Sequence, residues 1–273
     1  MARKSRIAVI IPAKTCPCHQ MARVFSQLGP EDCLIVVLNT AATDKSCPCR
    51  ETSDPLVSWI KVGKPLGAGT ARNLGVLSLE KPVKAILFCD ADDHVGPTWL
   101  AELSAPLLKD SADLVGGALR VRNRPGFQSV VLPSVDYSYR QALFGGNMGM
   151  TYKTWRKLEG FNESFICCED TDLAWRASEL GFVIQVVPTA IVDYELKSGI
   201  DEFHQRYNWG KSAVQLLRVH GIGLDHLPGL WTLFIHKRKT AFAASSGIAA
   251  LGQWVGQWIG RMQMFHGKRN ADG

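Results

Sequence analysis

Three aspartates directly follow an apolar segment near the middle of the chain. Ala85–Cys89 has the pattern of a buried strand, and Asp90-Ala91-Asp92-Asp93 comes next. Carboxylates at positions i and i+2 on a strand tip suit a hard cation, Mn²⁺ or Mg²⁺, that also binds a diphosphate. We therefore predict that Asp90 and Asp92 are metal ligands. The alternative is an acidic turn that only solvates the strand end.

A second acidic segment, Glu169-Asp170-Thr171-Asp172, opens a predicted helix whose buried face carries Leu173, Ala177 and Leu180. A carboxylate at this place can accept the proton of an attacking hydroxyl group as a general base. Acidic residues also stabilise helix N-termini without any catalytic role, so this alternative stays open.

A glycine-rich turn, Gly67-Ala68-Gly69-Thr70-Ala71-Arg72-Asn73, precedes another predicted helix. Glycine lets a backbone come close to an anion, and Arg72 is of the right type to pair with a phosphate. An ordinary turn with a surface arginine would give the same pattern.

The elements that position these residues alternate between strand and helix. Helices are predicted for residues 20–28 and 70–79, and strands for 7–11, 33–38, 56–62 and 85–89. Such alternation predicts an α/β fold with a mostly parallel sheet, in which ligands bind beyond the carboxyl ends of the strands. Later segments are predicted as strands at 118–122, 129–132, 148–152 and 182–187, and as a helix at 135–143.

Composition excludes some functions. The chain has 273 residues, of which 46% are hydrophobic and 21% charged, so it can bury a large core. The net charge is +6, and no basic stripe with interleaved aromatics occurs mid-chain, so nucleic acid is not an expected partner. The apolar run after the basic N-terminus is too short for a signal peptide, which predicts a cytoplasmic location.

Six motifs in order carry a family resemblance over about residues 5–195. They are Ile10-Ile11-Pro12, the loop 39–44, Ala71-Arg72-Asn73, Asp90-x-Asp92-Asp93, Gly146-Asn147 and Glu169-Asp170-x-Asp172. In these the chain resembles the family 2 glycosyltransferases. The resemblance implies the GT-A fold, a Rossmann-like, mostly parallel sheet flanked by helices. Residues 1–118 would be the nucleotide-sugar-binding half of the catalytic domain and 119–200 its acceptor-binding half. A helical C-terminal extension would span 201–273.

The resemblance also implies roles for individual residues. Pro12 and Ala13 would line the nucleotide pocket, and Arg72 and Asn73 would lie near the nucleotide. Asp90 would contact the ribose and the metal, and Asp92 the metal. Gly146 and Asn147 would lie against the donor sugar, with Asp170 as general base and Glu169 beside it for the acceptor.

Position 39 departs from the family pattern. The family's loop usually begins with an acidic residue that contacts the base, and this chain has Asn39 there. An amide can both donate and accept hydrogen bonds, so a pyrimidine base is still compatible. We therefore expect a nucleoside diphosphate sugar, with a UDP-sugar favoured.

A basic and aromatic segment, residues 204–212, follows the catalytic part. It resembles the Arg-Tyr-Gly-x-Ser of the mycofactocin glycosyltransferases and, with shifted spacing, the Gln-x-x-Arg-Trp of processive synthases. Arg206 or Lys211 would clamp the diphosphate, and His204 would complete the metal shell. A helix with a solvated basic face is an equally good interpretation.

Two Cys-Pro-Cys tripeptides, Cys16-Pro17-Cys18 and Cys47-Pro48-Cys49, follow the first two predicted strands. Four thiolates that converge at one sheet edge would bind structural Zn²⁺. Free thiols in proline-containing loops are the leading alternative, and disulfides are a further one.

Residues 241–260 contain no charged side chain, and Gly252, Gly256 and Gly260 recur at every fourth position. Such spacing permits close helix contact, and the length would suffice to cross a bilayer. Packing on the chain's own core or on a homodimer partner is favoured over peripheral membrane contact, for which Trp254 and Trp258 would be suited.

Together these features predict an inverting, metal-dependent glycosyltransferase that moves a sugar from a nucleoside diphosphate to an acceptor hydroxyl. A sugar-nucleotide nucleotidyltransferase is one alternative, but its glycine loop would follow the first strand directly, where this chain has Pro12-Ala13-Lys14. A non-catalytic protein that binds nucleotide sugars is the other.

Overall fold

A computed structural model describes residues 6–40, 54–122, 130–132, 136–137, 140–195, 197–227 and 247–269. The chain forms two compact units. The first comprises residues 1–163 and 169–195, and the second comprises residues 164–168 and 196–273.

The N-terminal half of the first unit alternates strands and helices, as the sequence predicts. Its elements are β1 (Ile7–Ala13), α1 (Cys18–Phe25), β2 (Cys33–Leu38), β3 (Val57–Lys61), α2 (Ala68–Leu77) and β4 (Ala85–Cys89). The strands pair in parallel in the order β3-β2-β1-β4. Nearly every side chain of β1, β2 and β4 is buried, which explains their continuous apolar sequences.

The second half of this unit completes the sheet. Its elements are β5 (His94–Val95), α3 (Trp99–Leu108), β6 (Leu114–Arg122), β7 (Val130–Leu132), β8 (Asp136–Tyr137), β9 (Arg140–Gln141), β10 (Asn147–Thr151), α4 (Tyr152–Leu158), α5 (Glu169–Glu179) and β11 (Ile184–Glu195). Among the described residues, nine strands form one sheet of order β3-β2-β1-β4-β10-β6-β11-β5, with β7 paired to β6. Strand β10 runs antiparallel between β4 and β6, so the sheet is parallel in its first half and mixed beyond.

Hydrophobic cores cover both faces of this sheet. One core joins odd-numbered residues of β1, such as Val9, to α1 and α3. The other joins even-numbered residues, such as Ile10, to α2 and α5. Because alternate side chains of a strand point to opposite faces, both sets of helices are anchored by the same strands. Helix α2 and helix α5 therefore lie on one face of the sheet, where they bring their N-termini to the carboxyl edge.

Several sequence predictions need correction. The helix predicted for residues 135–143 is wrong, because the described parts of this segment form the antiparallel pair β8 and β9. Val135, Tyr137 and Tyr139 alternate with polar residues, and that period of two favours a strand. Helices α3 and α4 were not predicted. The predicted strand at 182–187 is longer, because β11 continues past an irregularity to Glu195 beside β6.

The second unit contains α6 (Gly199–Val219), a 3₁₀ turn (Leu224–His226) and α7 (Gly247–Arg269). Helix α7 lies against α6 through its glycines. A Cβ atom added at Gly256 would lie 2.0 Å from the carbonyl oxygen of Tyr207, and one at Gly252 would lie 2.7 Å from that of Phe203. The close helix contact predicted from the glycine spacing is thus made within the chain.

The opposite side of α7 is apolar and exposed, with the four side chains Leu251, Trp254, Trp258 and Met262. None of the described helices combines the length and apolar character needed to cross a bilayer. Residues 241–246 of the predicted apolar segment lie outside the described residues. Membrane contact and homodimer contact through this segment stay predictions.

The glycine contact predicts a graded effect of alanine substitution. Alanine at Gly256 would push the two backbones apart, whereas a Cβ atom at Gly260 would lie 3.1 Å from the Cβ of Val214, where small adjustments suffice. We expect Gly256→Ala to lower the Tm by about 3–8 °C, because overpacking costs about 1–3 kcal/mol. Gly260→Ala should stay near wild type, since alanine's better helix propensity, about 1 kcal/mol, offsets the strain. Equal Tm values for the two variants would contradict this packing.

Candidate active site

The predicted acidic segments meet at the carboxyl edge of the sheet. Asp90 directly follows β4, and Glu169 and Asp170 lie in the first turn of α5. Strand β10 is antiparallel to β4, so its first residue, Asn147, pairs with Cys89 and brings the preceding glycines to the same edge. Residues far apart in sequence therefore surround one point beyond the strand ends, which is where ligands bind in such sheets.

Arg72 of α2 connects the two acidic segments. Its Nη2 donates to Asp90 Oδ1 at 2.8 Å, and its Nη1 donates to Glu169 Oε1 at 2.7 Å. The guanidinium group is 2% exposed and lies 5.5 Å from the centre of the Phe161 ring. Breaking a buried ion pair of this kind costs about 3–5 kcal/mol, because the remaining charge has no partner. The strand tip and the helix N-terminus are thus held at fixed positions.

This arrangement gives Arg72 a positioning role. Both terminal nitrogens are engaged by carboxylates, and the side chain is almost fully buried. Arg72 thus positions the acidic groups, and its predicted role near the nucleotide stays a prediction.

Burial and mutual repulsion strengthen the carboxylates as bases. Burial, and then the charge of Asp170, raise the pKa of Glu169 to about 7, while Arg72 opposes the shift. Burial also raises the pKa of Asp170, against the lowering effects of Arg72 and of hydrogen bonds from Gly145 and Thr171. Despite burial, the acidic neighbours Asp90, Glu169 and Asp170 hold the pKa of Arg72 above its ordinary value, so its charge is permanent.

Backbone groups orient Asp170. Its Oδ2 accepts a hydrogen bond of 2.7 Å from the N–H of Gly145, and its Oδ1 accepts one of 2.7 Å from the N–H of Thr171. The carboxylate therefore faces the glycine pair that precedes β10. This places the predicted general base beside the segment expected to lie against the donor sugar.

Gly146 faces two carboxylates of the Asp90–Asp93 run. A Cβ atom added at Gly146 would lie 2.7 Å from Asp90 Oδ2 and 3.0 Å from Asp93 Oδ2, so only glycine fits. Asp93 is 5% exposed, and burial, followed by the charges of Asp90 and Asp92, raises its pKa. The sequence pattern assigns no separate role to Asp93. Its position next to Gly146 depends on the pairing of β10 with β4, which has no local sequence signature.

The oxygen ligands at this edge suit a hard cation. Asp92 is exposed, and the Asp90 side chain is 37% exposed although one oxygen pairs with Arg72. No cluster of three or more His, Cys, Asp or Glu side chains with metal-binding geometry occurs among the described residues. Two carboxylates leave coordination positions for diphosphate oxygens and water, as Mg²⁺ and Mn²⁺ sites commonly do. The residues therefore fit a metal that arrives with its nucleotide.

The Asn39 side chain binds protein backbone in this structure. Its Nδ2 donates to the Leu66 carbonyl at 2.5 Å, and its Oδ1 accepts from the Leu66 N–H. Its own N–H donates to the carbonyl of Ala13 at 2.8 Å. An aspartate could not donate to Leu66, which gives a physical reason for asparagine at this position. The contact between the Asn39 side chain and a base stays a prediction, for which these hydrogen bonds to Leu66 would have to open.

Asn73 and Asn147 likewise have structural roles. Asn73 exchanges two hydrogen bonds with the Phe161 backbone, of 2.8 and 2.9 Å, and also donates to Glu163. Asn147 is fully buried, accepts from Trp99 Nε1 and donates to the carbonyls of Ala118 and Ala190. These hydrogen bonds hold both side chains to the protein, and their roles toward the nucleotide and the donor sugar stay predictions.

Four further residues were predicted to contact the nucleotide or the metal, and they lie in two different parts of the chain. Pro12 and Ala13 end β1 at the catalytic edge, next to Asn39. His204 and Arg206 belong to α6 of the second unit, where His204 is exposed and Arg206 is buried with its guanidinium 4.8 Å from the Trp209 ring centre. Their roles toward the metal and the diphosphate stay predictions.

Cys16 and Cys18 lie close together after β1. Their sulfur atoms are 3.0 Å apart, longer than an S–S bond of about 2.05 Å, so they are not bonded to one another. Each is disulfide-bonded, so the expectation of free thiols is wrong for this pair. Cys47 and Cys49 lie outside the described residues. A zinc site would need Cys16 and Cys18 as reduced thiolates, so it stays a prediction that metal analysis of the reduced protein tests.

The raised pKa of Glu169 makes stability depend on pH. The pKa of this carboxyl, whose ionised form pairs with Arg72, is about 7 in the folded chain, whereas its ordinary value is 4.5. The stabilisation is complete below the lower value and is lost as the pH rises through the upper one. We therefore expect Glu169→Gln to gain stability relative to wild type between about pH 5 and pH 8 in urea unfolding.

Glu179→Gln is the matched control for this experiment, because Glu179 is an exposed carboxylate of the same helix. Its stability relative to wild type should not follow the Glu169 pattern. A constant difference between Glu169→Gln and wild type across this pH range would show that the Glu169 carboxyl titrates normally.

Comparison with known proteins agrees with this geometry. The family model described as glycosyl transferase family 2 matches residues 9–168. The curated protein dTDP-rhamnosyl transferase RfbF of Shigella flexneri is 22% identical over 245 residues, which cover 81% of this chain and 82% of that protein.

Solved structures share the fold. Mannosyltransferase PcManGT from Pyrobaculum calidifontis, in complex with GDP-Man and Mn²⁺, matches with a TM-score of 0.63 and 14% identity over 94% of this chain and 86% of that one. TarS of S. aureus matches with a TM-score of 0.56 and 16% identity over 77% of this chain but only 39% of its own length. The sheet order, the acidic edge and the family match agree: the chain is a glycosyltransferase of family 2, with the GT-A fold.

Proposed function

We propose that this glycosyltransferase transfers a sugar from a nucleoside diphosphate to an acceptor hydroxyl with inversion at the anomeric carbon. Asp170 acts as general base, and Asp90 and Asp92 would hold a Mn²⁺ or Mg²⁺ ion that binds together with the diphosphate. The observation that carries the proposal is the double ion pair of Arg72 with Asp90 and Glu169. This pair of salt bridges holds Asp90, on the side proposed for the donor, close to Glu169, on the side proposed for the acceptor.

The acceptor step follows from the environment of Asp170. The acceptor oxygen attacks the anomeric carbon while its proton passes to the Asp170 carboxylate, and the bond to the diphosphate oxygen breaks. Burial raises the pKa of Asp170, which makes it a stronger base than an exposed aspartate. Hydrogen bonds from the backbone of Gly145 and Thr171 fix its orientation before the acceptor arrives. Glu169, paired with Arg72, supports the position of α5 beside the acceptor.

The donor side supplies charge stabilisation. A divalent ion bound with the diphosphate would offset the negative charge that develops on the leaving nucleotide. Asp90 and Asp92 are the described carboxylates of suitable exposure for this role, whereas Asp93 is buried. Gly146 leaves room beside Asp90 because it has no side chain.

The nucleotide base of the donor can be identified by comparing how strongly different nucleotide sugars bind. Asn39 is engaged by Leu66, so base recognition would rest on backbone groups near Pro12 and Ala13. The RfbF relative is described as acting with dTDP-rhamnose, and thymine and uracil present the same pairing edge. We propose a pyrimidine nucleoside diphosphate sugar, either a UDP-sugar or a dTDP-sugar. In a thermal-shift screen with Mn²⁺, these donors should stabilise the protein more than GDP-mannose does.

Substitution of the two key aspartates tests the mechanism. Asp170→Asn should lower the transfer rate by about 10²–10⁴-fold, because the amide cannot accept the proton. Asp92→Ala should weaken the Mn²⁺ dependence and donor binding together, since the metal would keep fewer protein ligands. Transfer is measured by nucleotide release together with product analysis, and circular dichroism confirms the fold.

Asp110→Asn is the matched control, because Asp110 is an exposed aspartate that pairs with Lys84 away from the catalytic carboxylates. It should keep wild-type transfer. Full transfer by folded Asp170→Asn or Asp92→Ala protein would refute the assigned roles. Release of pyrophosphate from a nucleoside triphosphate would support the nucleotidyltransferase alternative, and donor binding without turnover would support the non-catalytic one.

A further inference from the structure

Two arginines near the end of β6 form a charged cluster that the proposed mechanism does not use. Arg120 Nε donates to Asp193 Oδ1 at 2.5 Å, and Arg122 Nη2 lies 2.5 Å from Asp193 Oδ2. Asp193 belongs to β11, in register with Arg120. One carboxylate thus holds two guanidinium groups, one on each oxygen.

The burial of the three groups is unequal. The Asp193 side chain is 10% exposed, while those of Arg120 and Arg122 are 37% and 55% exposed. The Asp193 carboxylate is therefore buried, and the two arginine side chains that it holds are partly exposed to solvent. A guanidinium group has five N–H donors, and the salt bridge uses one nitrogen of each. Among the described residues, Asp193 is the carboxylate that pairs with both arginine side chains, so each guanidinium group keeps N–H donors that this salt bridge does not use.

Strand alternation places this cluster on the catalytic face of the sheet. Val115 and Leu119 of β6 pack into the core shared with α1 and α3. Arg120 and Arg122 therefore project from the opposite face, on which α2 and α5 pack. That is the face of Arg72, Glu169 and Asp170.

The cluster also borders the acidic run. Asp193 pairs in register with His94, the residue that follows Asp93. The Asp193 carboxylate is close enough to Asp93 for its charge to act there. Because β4 and β6 are both antiparallel to β10, they run in the same direction, and the ends of both reach the catalytic edge.

We propose that Arg120 and Arg122, held by Asp193, form an anion subsite beside the catalytic carboxylates that takes a phosphate or carboxylate group. Glu195 lies opposite Arg122 in the register, so the cluster attracts an anion through its directed N–H donors and not through net charge. Arg72 is buried and already paired, which leaves Arg120 and Arg122 to supply guanidinium contacts at this edge. Asp193 is a positioning residue, because it acts through the arginines.

The anion that binds this subsite could belong to either of two substrates. This inference rests on the proposed function. One source is the diphosphate of the donor, and the other is an acidic group on the acceptor. Both present oxygen atoms that match the fork of a guanidinium group. A simple cross-strand ion pair between β6 and β11 would bind neither.

Calorimetric titrations of the full chain separate these cases. In the first arm, UDP or dTDP with Mg²⁺ is titrated into wild type, Arg120→Gln, Arg122→Gln and Arg156→Gln. In the second arm, methyl phosphate is titrated into the same proteins already saturated with that nucleotide and Mg²⁺. Arg156→Gln is the matched control, because it removes one exposed positive charge from α4, outside the cluster.

If the subsite takes the donor, Arg120→Gln and Arg122→Gln should raise the Kd of the nucleotide about tenfold, and methyl phosphate should not bind the saturated protein. If it takes the acceptor, the nucleotide Kd should stay unchanged. Methyl phosphate should then bind saturated wild type, and about tenfold more weakly the two variants. Arg156→Gln should match wild type in both arms.

Nucleotide and methyl phosphate affinities that stay within about twofold of wild type in both glutamine variants would overturn the proposal. The cluster would then be only a cross-strand ion pair. Arg120→Lys and Arg122→Lys keep the charge, so they should fold if the glutamine variants do not, and should recover part of the binding. If wild type binds no nucleotide, the proposed function fails. Methyl phosphate titrated into nucleotide-free protein still tests the subsite.

Discussion

The catalytic edge of this protein depends on one buried arginine. Arg72 lies on α2, yet its two ion pairs reach Asp90 at the tip of β4 and Glu169 at the start of α5. Three elements that are distant in sequence therefore have fixed relative positions at the proposed active site. The cost of removing a guanidinium group from water is offset by two carboxylates and by the Phe161 ring at 5.5 Å.

The same ion pairs control the protonation of the site. Several carboxylates crowd one edge, and burial together with mutual repulsion raises the pKa of Glu169 and Asp170. Arg72 limits that rise, because its positive charge favours the ionised form of both carboxyl groups. The pKa values of these groups therefore depend on the balance between burial and pairing.

Asparagine side chains hold the backbone around the acidic edge of the sheet by hydrogen bonds. Asn39 and Asn73 each donate one hydrogen bond to, and accept one from, the backbone of a single residue, Leu66 and Phe161 respectively. Asn147 links β10 to carbonyl groups near β6 and β11 and to Trp99 of α3. An amide is suited to these places because it donates and accepts at once, whereas a carboxylate only accepts. These residues order the loops that surround the ligand.

The sequence by itself determined the α/β class, the first four strands, the acidic edge and the family, because each rests on local patterns. Continuous apolar runs mark buried strands, and the residues that follow them must lie at the carboxyl edge. Only the tertiary structure decided what the polar side chains at this edge contact. Arg72, Asn39, Asn73 and Asn147 have types that suit nucleotide binding, but each is engaged by protein groups far away in sequence. The pairing of β6 with β11, which brings Arg120 to Asp193, likewise has no local signature, since a register between distant strands is fixed by packing.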